Sequence, residues 1–313
     1  MSPRPIIIDC DPGQDDAVAL LLALASPEDL DVLGVTCVAG NVPLDLTQRN
    51  ARIIVALSGR PEVPVYAGCP RPILRPLVTA ERVHGKSGLD GYAWDAPTTP
   101  LAEGHAVDFI VATCLAAEDR SITLCPLGPM TNIAHAIVQA PAILPKLREV
   151  AFMGGAALGP GNITASAEFN IYTDPHAAQV VLSSGVPLTM FGLDVTHQAI
   201  TTPARRDAIR AIGSPVSDAV SAMLTFYDRH DIDRYGVPGG PLHDPCVIAY
   251  LLRPELFEGK ECHVAVETES ALTLGRTVAD WWGVGGEAPN CRVINRIDAD
   301  GFYALIVERL ARL

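Results

Sequence analysis

Short runs of consecutive apolar residues alternate along this chain with stretches in which apolar residues recur every three or four positions. The runs are Pro5–Asp9, Asp31–Val38, Pro64–Ala67, Ser121–Pro126, Glu149–Met153, Pro187–Leu193 and His263–Thr268. Most lack the in–out alternation of a sheet with one wet face. Strands covered on both faces look like this, and such strands occur in parallel sheets packed between helices. Helical spacing falls between them, over Asp15–Ala25, Leu44–Ser58, His105–Glu118, Asn132–Gln139, Pro175–Ser184, Ala204–Ile212, Val216–His230, Pro245–Leu251 and Gly301–Leu313. This alternation predicts an α/β fold with a doubly wound, mostly parallel central sheet flanked by helices. No internal repeat and no Pro-, Gly- or Ser-rich linker divides the chain. Residues 1–313 are therefore read as one domain, with a helical insertion near 199–241.

Composition narrows the function classes. Of 313 residues, 49% are hydrophobic and 19% charged, which is ample material for a core. The formal charge of −13 repels phosphate backbones and anionic lipid, so no nucleic acid and no membrane is expected as a partner. The start, "MSPRPIIIDCD", lacks the features of a signal peptide. The longest apolar segment, near Ala17–Ala25, is well short of the ~20 residues of a membrane span. A cytoplasmic protein is the expectation. None of the cysteines forms a CxxC pair, which points to buried free thiols rather than a zinc or redox motif.

Ligands of open α/β sheets bind beyond the C-terminal ends of the strands, and the polar residues of this chain collect there. The first run leads into "DCDPGQDDA", which places Asp9, Asp11, Asp15 and Asp16 at one strand end. Pro12-Gly13 makes the turn, and Asp15 and Asp16 open a helix. A helix N-terminus supplies only about half an elementary positive charge. Carboxylates crowded this closely either hold a proton to higher pH or bind a cation. Oxygen ligands select a hard ion, Ca²⁺ or Mg²⁺. The alternative is a helix cap with solvated acids. A second cluster, His243-Asp244-Pro245, precedes an apolar helix. Asp244 there either caps that helix or joins the first cluster at one metal.

"DCDPGQDDA" and "HDP" resemble signatures of the inosine-uridine nucleoside hydrolase family. "VAGN" at 38–41, "HGKSGLDG" at 84–91, "PLGPMTNIA" at 126–134, "MGG" at 153–155 and "AEFNIYTDP" at 167–175 resemble its further motifs, in the same order across essentially the whole chain. The resemblance implies hydrolysis of the N-glycosidic bond of ribonucleosides to ribose and free nucleobase, in nucleoside salvage. It implies one Ca²⁺ held by the side chains of Asp11, Asp16 and Asp244 and by the backbone carbonyl of Leu127. Asp11 would act as general base on a Ca²⁺-bound water, and His243 as the acid for the departing base. Asp15 would hydrogen-bond the ribose, and Asn41, Asn162, Glu168 and Asn170 match residues around the sugar and its hydroxymethyl. Asp9 would support the ligands from behind, and Gln14 would point away from the metal. His84 matches a pocket histidine of pyrimidine-preferring members. Homodimers or homotetramers are expected on the same ground. The chemistry agrees with the acids: breaking the bond builds positive charge on the sugar, which a carboxylate-rich pocket stabilises.

Other residues keep two readings. Asn162 alone would be a turn residue, and Glu168 and Asn170 the wet face of a strand. Tyr227, Asp231 and Tyr235 share a helix face, which in the family forms a mobile wall over the nucleobase but otherwise is an ordinary amphipathic face. Asp231 and Tyr235 are taken as substrate-binding candidates. Trp281-Trp282 either lines the pocket or packs a core. Two functional alternatives stand beside the hydrolase: a calcium-stabilised nucleoside-binding protein without turnover, and a phosphohydrolase of the haloacid-dehalogenase type. The latter expects Gly-Thr after its nucleophilic Asp and a phosphate-binding Lys; here Pro-Gly follows, and lysines stand only at 86, 146 and 260.

Overall fold

Ile6, Ile7 and Ile8 are each fully buried, yet they serve two different cores: Ile6 and Ile8 pack on one face of the sheet and Ile7 on the other. Both faces of the strand are covered, which is why its sequence shows no alternation. The computed structural model describes residues 2–313, with Tyr235 described in its backbone alone. The strands are β1 Arg4–Cys10, β2 Leu30–Cys37, β3 Val65–Ala67, β4 Ile122–Pro126, β5 Leu147–Met153, β6 Leu188–Phe191, β7 Phe257–Val266, β8 Thr277–Asp280 and β9 Cys291–Ile297. They form one nine-stranded sheet in the order β3-β2-β1-β4-β5-β6-β9-β7-β8. Pairing is parallel from β3 through β9, and β7 is antiparallel to both β9 and β8.

The helices are α1 Gln14–Leu24, α2 Leu44–Leu57, α3 Glu81–His84, α4 Ala106–Ala116, α5 Thr131–Gln139, α6 Phe169–Thr173, α7 Pro175–Leu182, α8 Leu193–Thr196, α9 Pro203–Arg210, α10 Pro215–Tyr235, α11 Pro245–Leu252 and α12 Ala299–Leu310. Every residue of α1 is buried, because α2, α10, α11 and α12 enclose it. A helix that is apolar on all sides requires such a position. The packing of α1 on α11 brings the start of each helix to the same place. The insertion carries α9 and α10 and is tied at its neck by an Ile200–Pro241 bridge and by Leu242 N–H donating to the Ala199 carbonyl at 2.9 Å.

The first six expected strands are present. The last region departs from expectation: β7 starts at Phe257 rather than His263, and β8 and β9 were not foreseen. Residues of β7 and β9 alternate between buried and accessible, with charged positions such as Glu258, Lys260, Arg292 and Arg296 among them. An antiparallel pair with one wetter face permits this, and it hides a strand from a search for apolar runs. The helices α3, α6 and α8 are too short to show a period. All eight cysteines are buried and free, as expected. Among the described residues no helix is long and apolar enough to cross a membrane.

Phe152 on β5 is fully buried, whereas Val278 on the edge strand β8 is 55% exposed. Replacing Phe152 by Ala is expected to cost about 3–5 kcal/mol through lost burial and a cavity. Val278→Ala is expected to stay within about 0.5 kcal/mol. Urea unfolding of the two variants checks the contrast.

Candidate active site

The chain runs from β1 outward to β2 and β3, then crosses back to β4 on the other side of β1. The crevice beyond β1 and β4 is therefore the point at which the winding reverses, the usual place for a ligand in such sheets. Asp9 is the last residue but one of β1, and Asp11 follows the strand; Leu127 follows β4. Asp15 and Asp16 lie in the first turn of α1, and Asp244 immediately precedes α11. The five carboxyl groups are all buried.

Asp11 is held in a slot. Its Oδ2 accepts a hydrogen bond from the Asn41 backbone N–H at 2.6 Å. A Cβ on Gly40 would lie 2.0 Å from the same oxygen, and one on Gly128 would lie 2.2 Å from Oδ1. These two glycines, from "VAGN" and "PLGP", make the room in which the carboxylate sits. Asp16 accepts from Gly13 N–H at 2.9 Å and from Asp11 N–H at 3.3 Å. Asn41 Nδ2 donates to the Asp11 carbonyl at 3.1 Å and to Asp16 Oδ2 at 3.4 Å, tying the two acids together. Asp244 makes no side-chain cap to α11. Its carboxyl lies beside those of Asp15 and Asp16 instead. One ligand oxygen each of Asp15, Asp16 and Asp244 lies within 4.8 Å of the others. Asp11 is not in that group of three, although its slot adjoins Asp16.

Electrostatics set the state of this cluster. Burial pushes Asp9 up to about 7, against the hydrogen bonds from Asn132 and Thr36. Burial and then repulsion from Asp16 push Asp15 up to about 8. Asp16 rises to about 6 by burial, and Asp11 and Asp244 are driven well above the usual carboxylate range by burial and by the neighbouring acids. Among the described residues no Arg or Lys pairs with any of the five. Asp15 Oδ1 and Asp9 Oδ2 are buried without a hydrogen-bond partner. Buried acids that lack a cationic side chain, with oxygens to spare, fit a hard divalent ion. The Leu127 carbonyl accepts Asn170 Nδ2 at 2.6 Å and retains a second lone pair.

Above the acids lies a cleft of about 720 Å³, counted to its open mouth. It is lined by the expected Asp15, Asn41, His84, Leu127, Asn162, Glu168, Asn170, Asp231, His243 and Asp244. Asp11, Asp16 and Asp9 lie beneath its floor rather than on its wall. Glu168 and Asn170 are not the wet face of a strand. Glu168 caps α6, accepting from Asn170 N–H at 2.8 Å and Ile171 N–H at 3.2 Å, and it also takes Gly155 N–H at 2.8 Å. Asn162 Oδ1 accepts Phe169 N–H at 3.0 Å, so its amide protons remain available to the cleft. Tyr227 and Asp231 face the cleft from α10, which runs on to Tyr235; the side chain of Tyr235 lies outside the described residues.

His84 and His243 both line the cleft. His84 Nδ1 lies 2.7 Å from Gln14 Oε1, and its ring stacks on Tyr227 with centroids 5.5 Å apart. His243 Nδ1 lies 2.7 Å from Thr196 Oγ1. Burial lowers His84 to about 3 and His243 well below its usual range. Both rings are thus neutral at neutral pH, and a protonated His243 would be a strong but scarce donor. Sequence reasoning missed Arg82, Phe169, His197 and His230, which also line the cleft. His197 is the C-cap of α8, the short helix that follows β6, so the strand-end rule could have found it; Arg82 and His230 carry no such signal. Neither Trp281 nor Trp282 lines the cleft: Trp281 packs on one core and Trp282 is 82% exposed.

The sequence pattern of inosine-uridine preferring nucleoside hydrolases matches residues 6–304. The chain belongs to this family. It is 49% identical over 308 residues to an uncharacterized protein of Schizosaccharomyces pombe, covering 98% of this chain and 99% of that one. It is 47% identical over 309 residues to the pyrimidine-specific ribonucleoside hydrolase RihA of Shewanella sp. (strain MR-7), covering 98% and 96%. Its fold superposes on the purine-preferring ribonucleoside hydrolase from Gardnerella vaginalis with a TM-score of 0.91 at 31% identity, covering 98% of each chain. This member of the family is a ribonucleoside hydrolase, acting on the N-glycosidic bond.

Two measurements test the site. Gly128→Ala drives a methyl into Asp11, so kcat/KM for ribose release is expected to fall by about 10²-fold, the scale of an ångström's misplacement. Unchanged activity would remove the slot from the chemistry. The second concerns pH. Carboxyls whose pKa is raised on folding bind more protons in the native state, so their contribution is present below the ordinary carboxylate range and is lost as pH rises to about 8. Chelator-stripped protein should therefore melt at lower temperature as pH climbs through that window, and added calcium should restore the loss. A calorimetric melting point indifferent to calcium across it would contradict a metal centre here.

Proposed function

We propose that this hydrolase prefers pyrimidine ribonucleosides and works with a Ca²⁺ held by Asp11, Asp16, Asp244 and the Leu127 carbonyl. The observation that carries the metal assignment is the set of five buried carboxyls, without a cationic partner among the described residues, at the winding reversal of the sheet. The base preference rests on relatives at 45–47% identity that are named pyrimidine-specific, and on His84 in the cleft wall. Calcium, when bound, would offset the charge of the acids and make a nearby water easier to deprotonate.

The residues divide the remaining work. Asp11, aligned by Asn41 and boxed by Gly40 and Gly128, accepts the proton of the attacking water. Asp15, with one oxygen unpartnered at the cleft floor, accepts a ribose hydroxyl. Asn162, Glu168 and Asn170, placed around α6, hold the hydroxymethyl side of the sugar. The acids also stabilise positive charge at C1′ as the bond to the base lengthens. His243 donates toward the leaving base, its Nδ1 side steadied by Thr196. Tyr227 and Asp231 cover the base end from α10. We take residues 1–313 as one catalytic domain, working in the cytoplasm as a homodimer or homotetramer.

Incubation with uridine, cytidine and inosine, followed by assay of free ribose, tests this reading. Higher kcat/KM for the pyrimidine nucleosides is expected, and calcium should be the metal in elemental analysis. Asp11→Ala should lower kcat by about 10²–10⁴-fold, the usual range for a general base. Binding of nucleosides without any ribose release would favour the binding-protein alternative, and zinc in place of calcium would overturn the metal.

A further inference from the structure

Gln14 is fully buried and belongs to neither the acid cluster nor the cleft wall. It opens α1, one residue before Asp15, and points at His84, the last residue of α3. Its amide has three contacts. Nε2 lies 3.0 Å from the His84 carbonyl and 2.9 Å from the Asp90 carbonyl; Oε1 lies 2.7 Å from His84 Nδ1. Two carbonyls can only accept, so the nitrogen of the amide must face them. That leaves Oε1, which can only accept, against the imidazole. His84 Nδ1 must then carry the hydrogen.

The ring has no alternative arrangement at hand. A Cβ on Gly13 would come within 2.3 Å of Nδ1, so the ring lies directly against the backbone of the turn. Tyr227 stacks on it at 5.5 Å. Nε2 makes no hydrogen bond to another described residue, and His84 lines the cleft. A neutral imidazole with its hydrogen on Nδ1 bears a lone pair on Nε2. His243 differs: its Nδ1 meets the Thr196 hydroxyl, which can donate or accept, so either tautomer is open to it.

We propose that Gln14 is a positioning residue that locks His84 in the Nδ1–H tautomer, so that His84 presents the cleft with a hydrogen-bond acceptor for an N–H or NH₂ group of the nucleobase. His84 thereby reads the base and is removed from competition with His243 as proton donor. The assignment to a nucleobase rests on the ribonucleoside reading of the cleft; the tautomer does not.

The test uses the intact protein labelled with ¹⁵N-histidine, with His84→Gln to assign the His84 signals. Long-range ¹H–¹⁵N spectra without substrate should show His84 with a protonated Nδ1 and a bare Nε2. In Gln14→Met, which keeps the volume and removes the amide, the ring should shift toward the Nε2–H form that free histidine prefers. The same variant should lose about tenfold in kcat/KM for uridine, the scale of one hydrogen bond. It should keep its rate on a nitrophenyl riboside, whose leaving group has no N–H. A wild-type His84 protonated on Nε2 overturns the proposal even if the variant fails to fold. So does an Nδ1–H form that survives Gln14→Met, or an equal loss on both substrates. Failure of the protein to release ribose from any nucleoside would instead defeat the hydrolase reading and leave the spectra standing.

Discussion

Burying five carboxyl groups together is the constraint on which the rest of this structure depends. Each loses hydration, and the cluster adds mutual repulsion, so the site is stable only with protons or a cation in place. Much of the local sequence answers to that demand. Gly40 and Gly128 give up side chains so that Asp11 can enter its slot. Gly13 and Asn41 spend backbone and amide N–H groups on Asp11 and Asp16. Asp244 leaves the end of α11 uncapped by its side chain and lies beside Asp15 and Asp16.

The sheet supplies the place for this concentration of charge. Reversal of the winding beside β1 opens a crevice between β1 and β4, into which the polar ends of both strands project. Helix α1, apolar on every side beyond its first turn, is packed among four other helices, and its contact with α11 sets Asp244 beside Asp15 and Asp16. The insertion, closed at its neck between Ala199 and Leu242, hangs α10 over the mouth of the crevice. On the proposed reading, the strand ends would hold metal and sugar, and the inserted part would face the base.

The imidazoles extend the same logic. Burial keeps His84 and His243 neutral, so what each can do depends on the partner of its Nδ1. An amide oxygen and a hydroxyl are different partners, and they give two otherwise similar rings different faces toward the cleft.

The sequence by itself determined the parallel part of the sheet, because apolar runs with no alternation have no other stable setting. It also located the acid cluster at the end of β1, while leaving a helix cap with solvated acids open; burial in the fold closed that alternative. The antiparallel margin was not legible: β9 enters the sheet between β6 and β7 with charged residues on its accessible positions, and only the pairing reveals it as a strand. The same holds for what each side chain does. Asp244 reads locally as a helix cap, Glu168 and Asn170 as strand surface, and Gln14 as a turn residue that points away from the metal. Their partners lie far away in the chain, such as His84 for Gln14 and Leu127 for Asn170. Tertiary structure alone decided those roles, because a polar side chain is defined by the hydrogen-bond partner that folding brings to it.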